Sequence, residues 1–236
     1  MIELAMPTTA LVLAGGKGER LRPLTDDRPK PMVEVAGVPI LVHHLTWLRD
    51  NGIKRAVVLT GYLHEVIHDY FASPRIDGLM VDCVAEKTPL GRGGAFRNGF
   101  EQAGIADDLI VATNGDVITD QPLRLMFDVH RSRSAAATLL VAQVKSPYGI
   151  VEVEDNGAVT GFVEKPQLPY WINGGVYLLD SSVIHQFPVV GDHEATTFPD
   201  LAKQGQVAAL RCVGFWSSIE SPKDLGEAAL KLGLVG

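Results

Sequence analysis

Cysteine, clustered basic residues and long apolar runs are all scarce in this sequence. Its 236 residues hold two cysteines, Cys83 and Cys212. They stand too far apart for metal-ligand spacing, which excludes a disulfide-stapled or zinc-knuckle framework. Both read as buried, reduced thiols of a cytoplasmic protein. Lys and Arg number 21 against 28 Asp and Glu, a formal net charge of −7. With no run of Lys or Arg in that balance, a broad nucleic-acid footprint is excluded, because such binding needs clustered cations. No stretch approaches the roughly 18 apolar residues of a membrane span. No basic segment precedes the first apolar run, Ala10–Ala14, so neither a secretory leader nor a membrane partner is expected. The seven histidines are scattered. His64 and His68 are spaced one helical turn apart but lack a third ligand candidate, which argues against zinc.

What is present suits a folded α/β chain. Hydrophobic residues make up 46% and the mean hydropathy is +0.13, enough to bury a full core. Continuous apolar runs at Thr9–Ala14, Ala56–Thr60, Leu109–Thr113 and Ala136–Val144 read as strands covered on both faces. Between them, Ile40–Gly52, His64–Phe71 and Arg92–Gly104 read as helices. This order predicts a Rossmann-like, mostly parallel mixed sheet flanked by helices, joined by right-handed crossovers. Further on the pattern turns to alternation. Ile150–Glu154 and Thr160–Glu164 flank Asp155-Asn156-Gly157, a hairpin signal, and form a small β-rich insertion. A strand at Val176–Leu179 and helices at Ser181–Phe187 and Pro222–Leu232 complete the reading. A single domain over residues 1–236 is expected, with a core near 9–145 and the rest carrying the insertion and the C-terminal helix.

The most informative segment follows the first strand: Leu13-Ala14-Gly15-Gly16-Lys17-Gly18-Glu19-Arg20. Glycines let backbone approach a ligand and turn N–H groups toward anionic oxygens. The Gly-Lys-Ser/Thr ending of a P-loop is absent, and so are the third glycine and the following acidic residue of a dinucleotide fingerprint. Arg20, Arg22, Arg28 and Lys30 follow, stiffened by Pro23, Pro29 and Pro31. Fixed cations beside a glycine-rich loop suit a triphosphate.

Leu-Ala-Gly-Gly-x-Gly-x-Arg-Leu-x-Pro-Leu-Thr (13–25) and Pro-Lys-Pro-Met (29–32) resemble the signature of the sugar-1-phosphate nucleotidyltransferases. The resemblance continues, in the family's order, through Pro89–Ala95, Asn114-Gly115-Asp116, Tyr148-Gly149, Phe162–Pro166 and Asn173–Tyr177. It implies transfer of a nucleotidyl group from an NTP to a sugar 1-phosphate with release of pyrophosphate. Leu13, Ala14, Gly15, Gly16, Lys17, Gly18, Glu86, Pro89, Gly91 and Gly115 would face the nucleotide. Glycines 91, 93 and 94 would let a flat base lie against backbone. Arg20, Lys30, Asp116 and Lys165 would carry catalysis, and Tyr148, Gly149, Glu164, Lys165 and Asn173 the sugar phosphate. Asp116, at a strand's carboxyl end, is placed to hold Mg²⁺, whereas Asp120 reads as a helix cap.

The second metal carboxylate departs from the family. Many members place an aspartate shortly after an aromatic, where Phe215–Asp224 supplies Ser218; a related branch carries the acid two residues later, at Glu220. Glu220 is taken as the second ligand, with Ser218 as the other candidate position. From 236 residues the β-helix module of larger relatives is not expected. Segments 89–98 and 172–179 best match short guanylyltransferases acting on heptose or mannose 1-phosphate. The alternatives are uridylyl or cytidylyl transfer, or a non-catalytic regulator that binds sugar nucleotides. A homo-oligomer is left open.

Overall fold

The computed structural model describes residues 5–234. Residues 1–4 and 235–236, the ends of the expected single domain and part of the stretch read as lacking a leader, lie outside the described residues.

The elements, in chain order, are β1 (Thr9–Ala14), β2 (Glu34–Val35), β3 (Val38–Pro39), α1 (Ile40–Asp50), β4 (Arg55–Thr60), α2 (His64–Phe71), β5 (Met80–Ala85), α3 (Gly91–Gln102) and β6 (Leu109–Asn114). The chain continues through β7 (Val117–Thr119), α4 (Leu123–Arg133), β8 (Ala137–Lys145), β9 (Ile150–Val153), β10 (Val159–Val163) and β11 (Gln167–Asp180). It ends with α5 (Ser181–Ile184), α6 (Thr197–Lys203), β12 (Val207–Arg211), β13 (Trp216–Ser218) and α7 (Pro222–Lys231).

Seven strands form one sheet in the order β12-β8-β11-β6-β1-β4-β5. All neighbours run parallel except β11, which is antiparallel to both β6 and β8. This is the mixed, mostly parallel sheet that the apolar runs predict. From β1 the chain builds first toward β4 and β5 and later returns to β6 on the other side. The crevice between the carboxyl ends of β1 and β6 is therefore the switch point where open α/β sheets receive ligands.

One apolar cluster covers each face of the sheet, and a third, smaller one lies beneath α7. The third contains Leu21, Val33, Ile118 and Ile219, all fully or nearly fully buried. Each stands within three residues of a candidate site residue: Arg20, Lys30, Asp116 and Glu220, respectively. The packing that stabilises this corner thus also sets where four charged side chains begin. Asp224 secures the last of them. Its Oδ2 accepts the backbone N–H groups of Glu220 at 2.9 Å and Ser221 at 2.7 Å, closing a capping box on α7.

Several elements depart from expectation. β11 spans 14 residues rather than the four of Val176–Leu179. Its pairing with β8 is irregular between Asn173 and Tyr177, where Gly175 takes φ +69°, and this break hides a strand from pattern reading. Helix α5 ends at Ile184, short of the expected Phe187. Asp120 caps no helix; α4 starts after Pro122, and Asp120 Oδ1 instead accepts the Phe215 N–H, tying β7 to β13. Cys83 and Cys212 are free thiols, partly rather than fully buried. The insertion forms a two-stranded antiparallel sheet of β9 and β10 closed by the expected turn, with Gly157 at φ +85°. No helix among the described residues is long and apolar enough to cross a membrane.

His44 on α1 is almost wholly buried, with Nδ1 2.8 Å from the Val117 carbonyl, next to Asp116. An N–H at Nδ1 donates to that carbonyl, while Nε2 has no partner among the described residues. Burial lowers the imidazole pKa from 6.5 to about 4. Between those values the unfolded chain binds more protons than the folded one, so the stability contributed by the neutral ring is lost as pH falls. Denaturant unfolding should show His44 contributing a loss of about 2 kcal/mol between about pH 7 and pH 5, a loss that His44→Gln removes. Equal pH slopes in the two proteins would refute it.

Candidate active site

Two clefts meet at the carboxyl ends of β1, β4 and β6. The larger, about 590 Å³, is lined by Leu13 through Leu21, Lys30, Pro31, Arg92, Asn114, Asp116, Ser218 and Glu220. The smaller, about 250 Å³, is bounded by the apolar Leu13, Leu59, Val84 and Ala95 and by Glu86, Pro89, Gly91, Arg92, Asn98 and Asp192. A slot with apolar walls opening into a charged, glycine-floored trough suits a heterocyclic base joined to phosphates.

The trough floor is the loop after β1. Gly18 is left-handed (φ +65°, ψ +36°), and a Cβ there would fall 2.6 Å from Lys30 Cβ. Only glycine fits both the torsion and the approach. Thr25 Oγ1 donates to the Gly18 carbonyl at 3.0 Å, closing the loop onto the proline-stiffened segment. Gly115 serves the frame. It is buried, donates to the Leu13 carbonyl at 2.8 Å, and a Cβ there would sit 2.6 Å from that oxygen. It lets β1 and β6 close together instead of lining either cleft.

Four charged side chains alternate in sign along the trough. Arg20 lies 2.7 Å from Glu220 Oε2; Lys30 Nζ lies 3.0 Å from Glu220 Oε1 and 2.7 Å from Asp116 Oδ2. The Lys30 side chain is only 11% exposed, and a buried ammonium is tolerated only when paired. Ser218 Oγ donates to Glu220 Oε1 at 3.1 Å. The longer glutamate therefore brings its carboxylate beside the serine, to the same Lys30 that holds Asp116. Two oxygens in this corner, Asp116 Oδ1 and Asn114 Oδ1, are buried with no hydrogen-bond partner among the described residues. Carboxylate and amide oxygens are the hard donors that magnesium prefers, so the donor set fits such an ion.

In the slot, Glu86 Oε2 accepts the Leu90 N–H at 3.1 Å, and burial raises its pKa. The glycines opening α3 play a different part from the one their flatness suggests. A Cβ at Gly91, Gly93 or Gly94 would fall within 3 Å of segment 188–193. They admit that segment, and Gly91 also borders the slot.

The remaining predicted residues stand apart. Tyr148, Glu164 and Lys165 are exposed and line neither cleft; Lys165 takes φ +45°, and its Nζ is 3.7 Å from Glu164 Oε1. A Cβ at Gly149 would sit 2.9 Å from Glu164 Oε2, which keeps those two strand ends together. Asn173 is the link to the trough. Its Nδ2 donates to Tyr177 Oη at 2.7 Å and its Oδ1 accepts the Gly175 N–H, while the Gly175 carbonyl accepts Thr113 Oγ1 beside Asn114. The sequence reading missed Arg92, Asn114 and Asp192 as lining residues. A charge inside the glycine-rich start of α3 was a signal for Arg92; Asp192 carried none. His64 and His68 stack edge to face, with His68 Nε2 3.1 Å from Thr60 Oγ1. Among the described residues, no group of three or more His, Cys, Asp or Glu gathers to hold a metal.

Comparison with known proteins bears on the family and the fold. The profile of the family described as Nucleotidyl transferase matches residues 9–233. The mannose-1-phosphate guanylyltransferase catalytic subunit beta of Drosophila pseudoobscura pseudoobscura is 35% identical over 224 residues, covering 92% of this chain and 60% of that protein. The mannose-1-phosphate guanylyltransferase of Mycobacterium tuberculosis is 35% identical over 235 residues, covering 95% and 65%. The chain thus spans under two thirds of the length of these relatives. Among solved structures, HddC from Yersinia pseudotuberculosis superposes with TM-score 0.75 at 27% identity, covering 95% of this chain and 99% of that one. A crystal structure of HddC complexed with GMP-PN gives TM-score 0.75 at 28% identity.

Glu220 pairs with two of the cations lining the trough, Arg20 and Lys30. In metal-free buffer, Glu220→Gln should bind inorganic pyrophosphate more tightly, by roughly three- to tenfold for partly exposed pairs. With Mg²⁺ present the sign should reverse, because a carboxylate suited to the ion has been removed. Calorimetric titration in both buffers checks this, and unchanged affinity in both would show the Arg20–Glu220–Lys30 contacts to be incidental.

Proposed function

From the membership of this chain in the nucleotidyl transferase family, we propose that it transfers a nucleotidyl group from an NTP to a sugar 1-phosphate, giving an NDP-sugar and pyrophosphate. GTP with mannose or heptose 1-phosphate is the favoured pair, since the relatives named above are mannose-1-phosphate guanylyltransferases and HddC was crystallised with GMP-PN. The observation that carries the reading is the junction of the base-sized slot with a trough holding the Gly15–Gly18 loop, Lys30 and Asp116. Residues 9–145 hold the nucleotide in this scheme, and 146–236 the sugar phosphate.

An oxygen of the sugar phosphate attacks the α-phosphorus in line. The new P–O bond forms as the bond to the β-phosphate's bridging oxygen breaks, and pyrophosphate leaves with that electron pair. No protein base is needed, because a phosphate monoester with second pKa near 6 is already dianionic at neutral pH. Catalysis is alignment and charge neutralisation. Gly15 to Gly18 present backbone to the triphosphate, and Arg20 and Lys30 meet charge growing on the leaving group. The Lys30 ammonium has three donors and spends two on Asp116 and Glu220, leaving one for a phosphate oxygen. Asp116 and Glu220, with Asn114 beside them, are the residues that would hold Mg²⁺, whose chemistry when bound is to neutralise phosphate charge. Lys165 is the point charge for the acceptor phosphate, with Glu164, Asn173 and Tyr148-Gly149 for the sugar.

A matrix of NTPs against sugar 1-phosphates, read by pyrophosphate release, tests the activity; no release from any pair would refute it. Lys165→Ala should chiefly raise KM for the sugar 1-phosphate and leave NTP binding nearly intact. Loss of NTP affinity with acceptor KM unchanged would mean that the half-sites are reversed. Lys30→Ala should lower kcat by about a hundredfold, about 3 kcal/mol, because its contact strengthens toward the transition state.

A further inference from the structure

Arg92 belongs to neither the glycine loop nor the acidic corner, yet it lines both clefts. The two clefts share Leu13, Gly15, Gly16 and Arg92, so among the described residues Arg92 is the one charged side chain at their junction and the one cation on the wall of the slot. It sits in the first turn of α3, whose amides are already engaged. The Arg92 N–H donates to Asp192 Oδ1 at 2.8 Å, and the Gly93 and Gly94 N–H groups donate to the Gly191 carbonyl at 2.9 and 3.2 Å. What this turn offers a ligand is therefore the side chain.

That side chain is held along one edge. Nη2 donates to Asp192 Oδ2 at 3.2 Å, and Nε lies 3.3 Å from Glu194 Oε2. Glu194 in turn lies against the hydroxyl of buried Tyr177, which accepts from Asn173. A guanidinium has five N–H donors in a rigid fork. Two face the carboxylates, so the Nη1 pair and one Nη2 hydrogen remain, on a side chain 52% exposed. Loop 188–194 thus fixes the plane of the fork and lowers the entropy lost when its free edge binds an anion.

We infer that Arg92 is a nucleotide-contacting residue whose free Nη1 edge binds the α-phosphate as it passes from slot to trough, with Asp192 and Glu194 as its positioning residues. This rests on the nucleotide reading above and adds a residue and a target atom to it.

Binding of nucleoside and nucleoside-monophosphate pairs, measured calorimetrically in metal-free buffer, isolates the contact. Guanosine and GMP form the main pair, and the uridine, cytidine and thymidine pairs run alongside show which base the slot prefers. For the preferred pair, Arg92→Gln should lose about ten- to a hundredfold in monophosphate affinity, the range for a charged hydrogen bond, with nucleoside affinity unchanged. Arg92→Lys should fall between. Asp192→Asn should weaken the monophosphate less than Arg92→Gln does and spare the nucleoside. Equal losses for nucleoside and monophosphate would overturn the proposal, because Arg92 would then merely hold the slot's shape. So would a Gln variant that binds both like the wild type. A wild type that binds no member of any pair would refute the nucleotide reading itself, a result distinct from either.

Discussion

Lys30 cannot lie where it does without Asp116 and Glu220. An ammonium that is only 11% exposed has lost most of its water, and two carboxylates at 2.7 and 3.0 Å replace it. Those acids reach it from segments about a hundred residues apart in the chain. Asp116 follows β6, at the heart of the sheet, and Glu220 stands two residues after β13, held by the capping box of α7. The sheet, the small third core and the C-terminal helix must all form before this one contact can. The charge alternation Arg20, Glu220, Lys30, Asp116 then leaves a trough that is nearly neutral by itself and ready to exchange one anion for another.

Much of this was legible in the sequence because the signals were local. A strand covered on both faces must be apolar throughout, so β1, β4 and β6 announced themselves, and the loop after β1 stood out because left-handed torsions and close approach require glycine. The edge strand β5 reads MVDCVA and is only partly buried, so neither a continuous run nor clean alternation marks it. Strand β11 was obscured by its own irregular stretch around Asn173 and Gly175. Helix α4 carries buried side chains at helical spacing, Leu123, Met126, Phe127 and His130, so its signal too is local.

Contacts between distant segments were the other blind spot. Nothing near Asp192 predicts that it meets Arg92, a hundred positions earlier, nor that the glycines of α3 exist to admit that segment. Glu220 was a different case. Sequence alone left it beside Ser218 as a candidate position; its carboxylate lies one hydrogen bond from the serine and in ion pairs with Arg20 and Lys30, contacts that no local pattern announces.

The hairpin of β9 and β10 pairs with no third strand among the described residues, and its apolar side chains are widely exposed, Phe162 at 64% and Val153 at 62%. A two-stranded sheet with so little burial has marginal stability of its own. Its backbone amides should therefore exchange with solvent deuterium well before those of the seven-stranded sheet. A ligand that docked against Tyr148, Gly149, Glu164 or Lys165, at the ends of this hairpin, would bear the entropy of quieting strands that the large sheet does not brace.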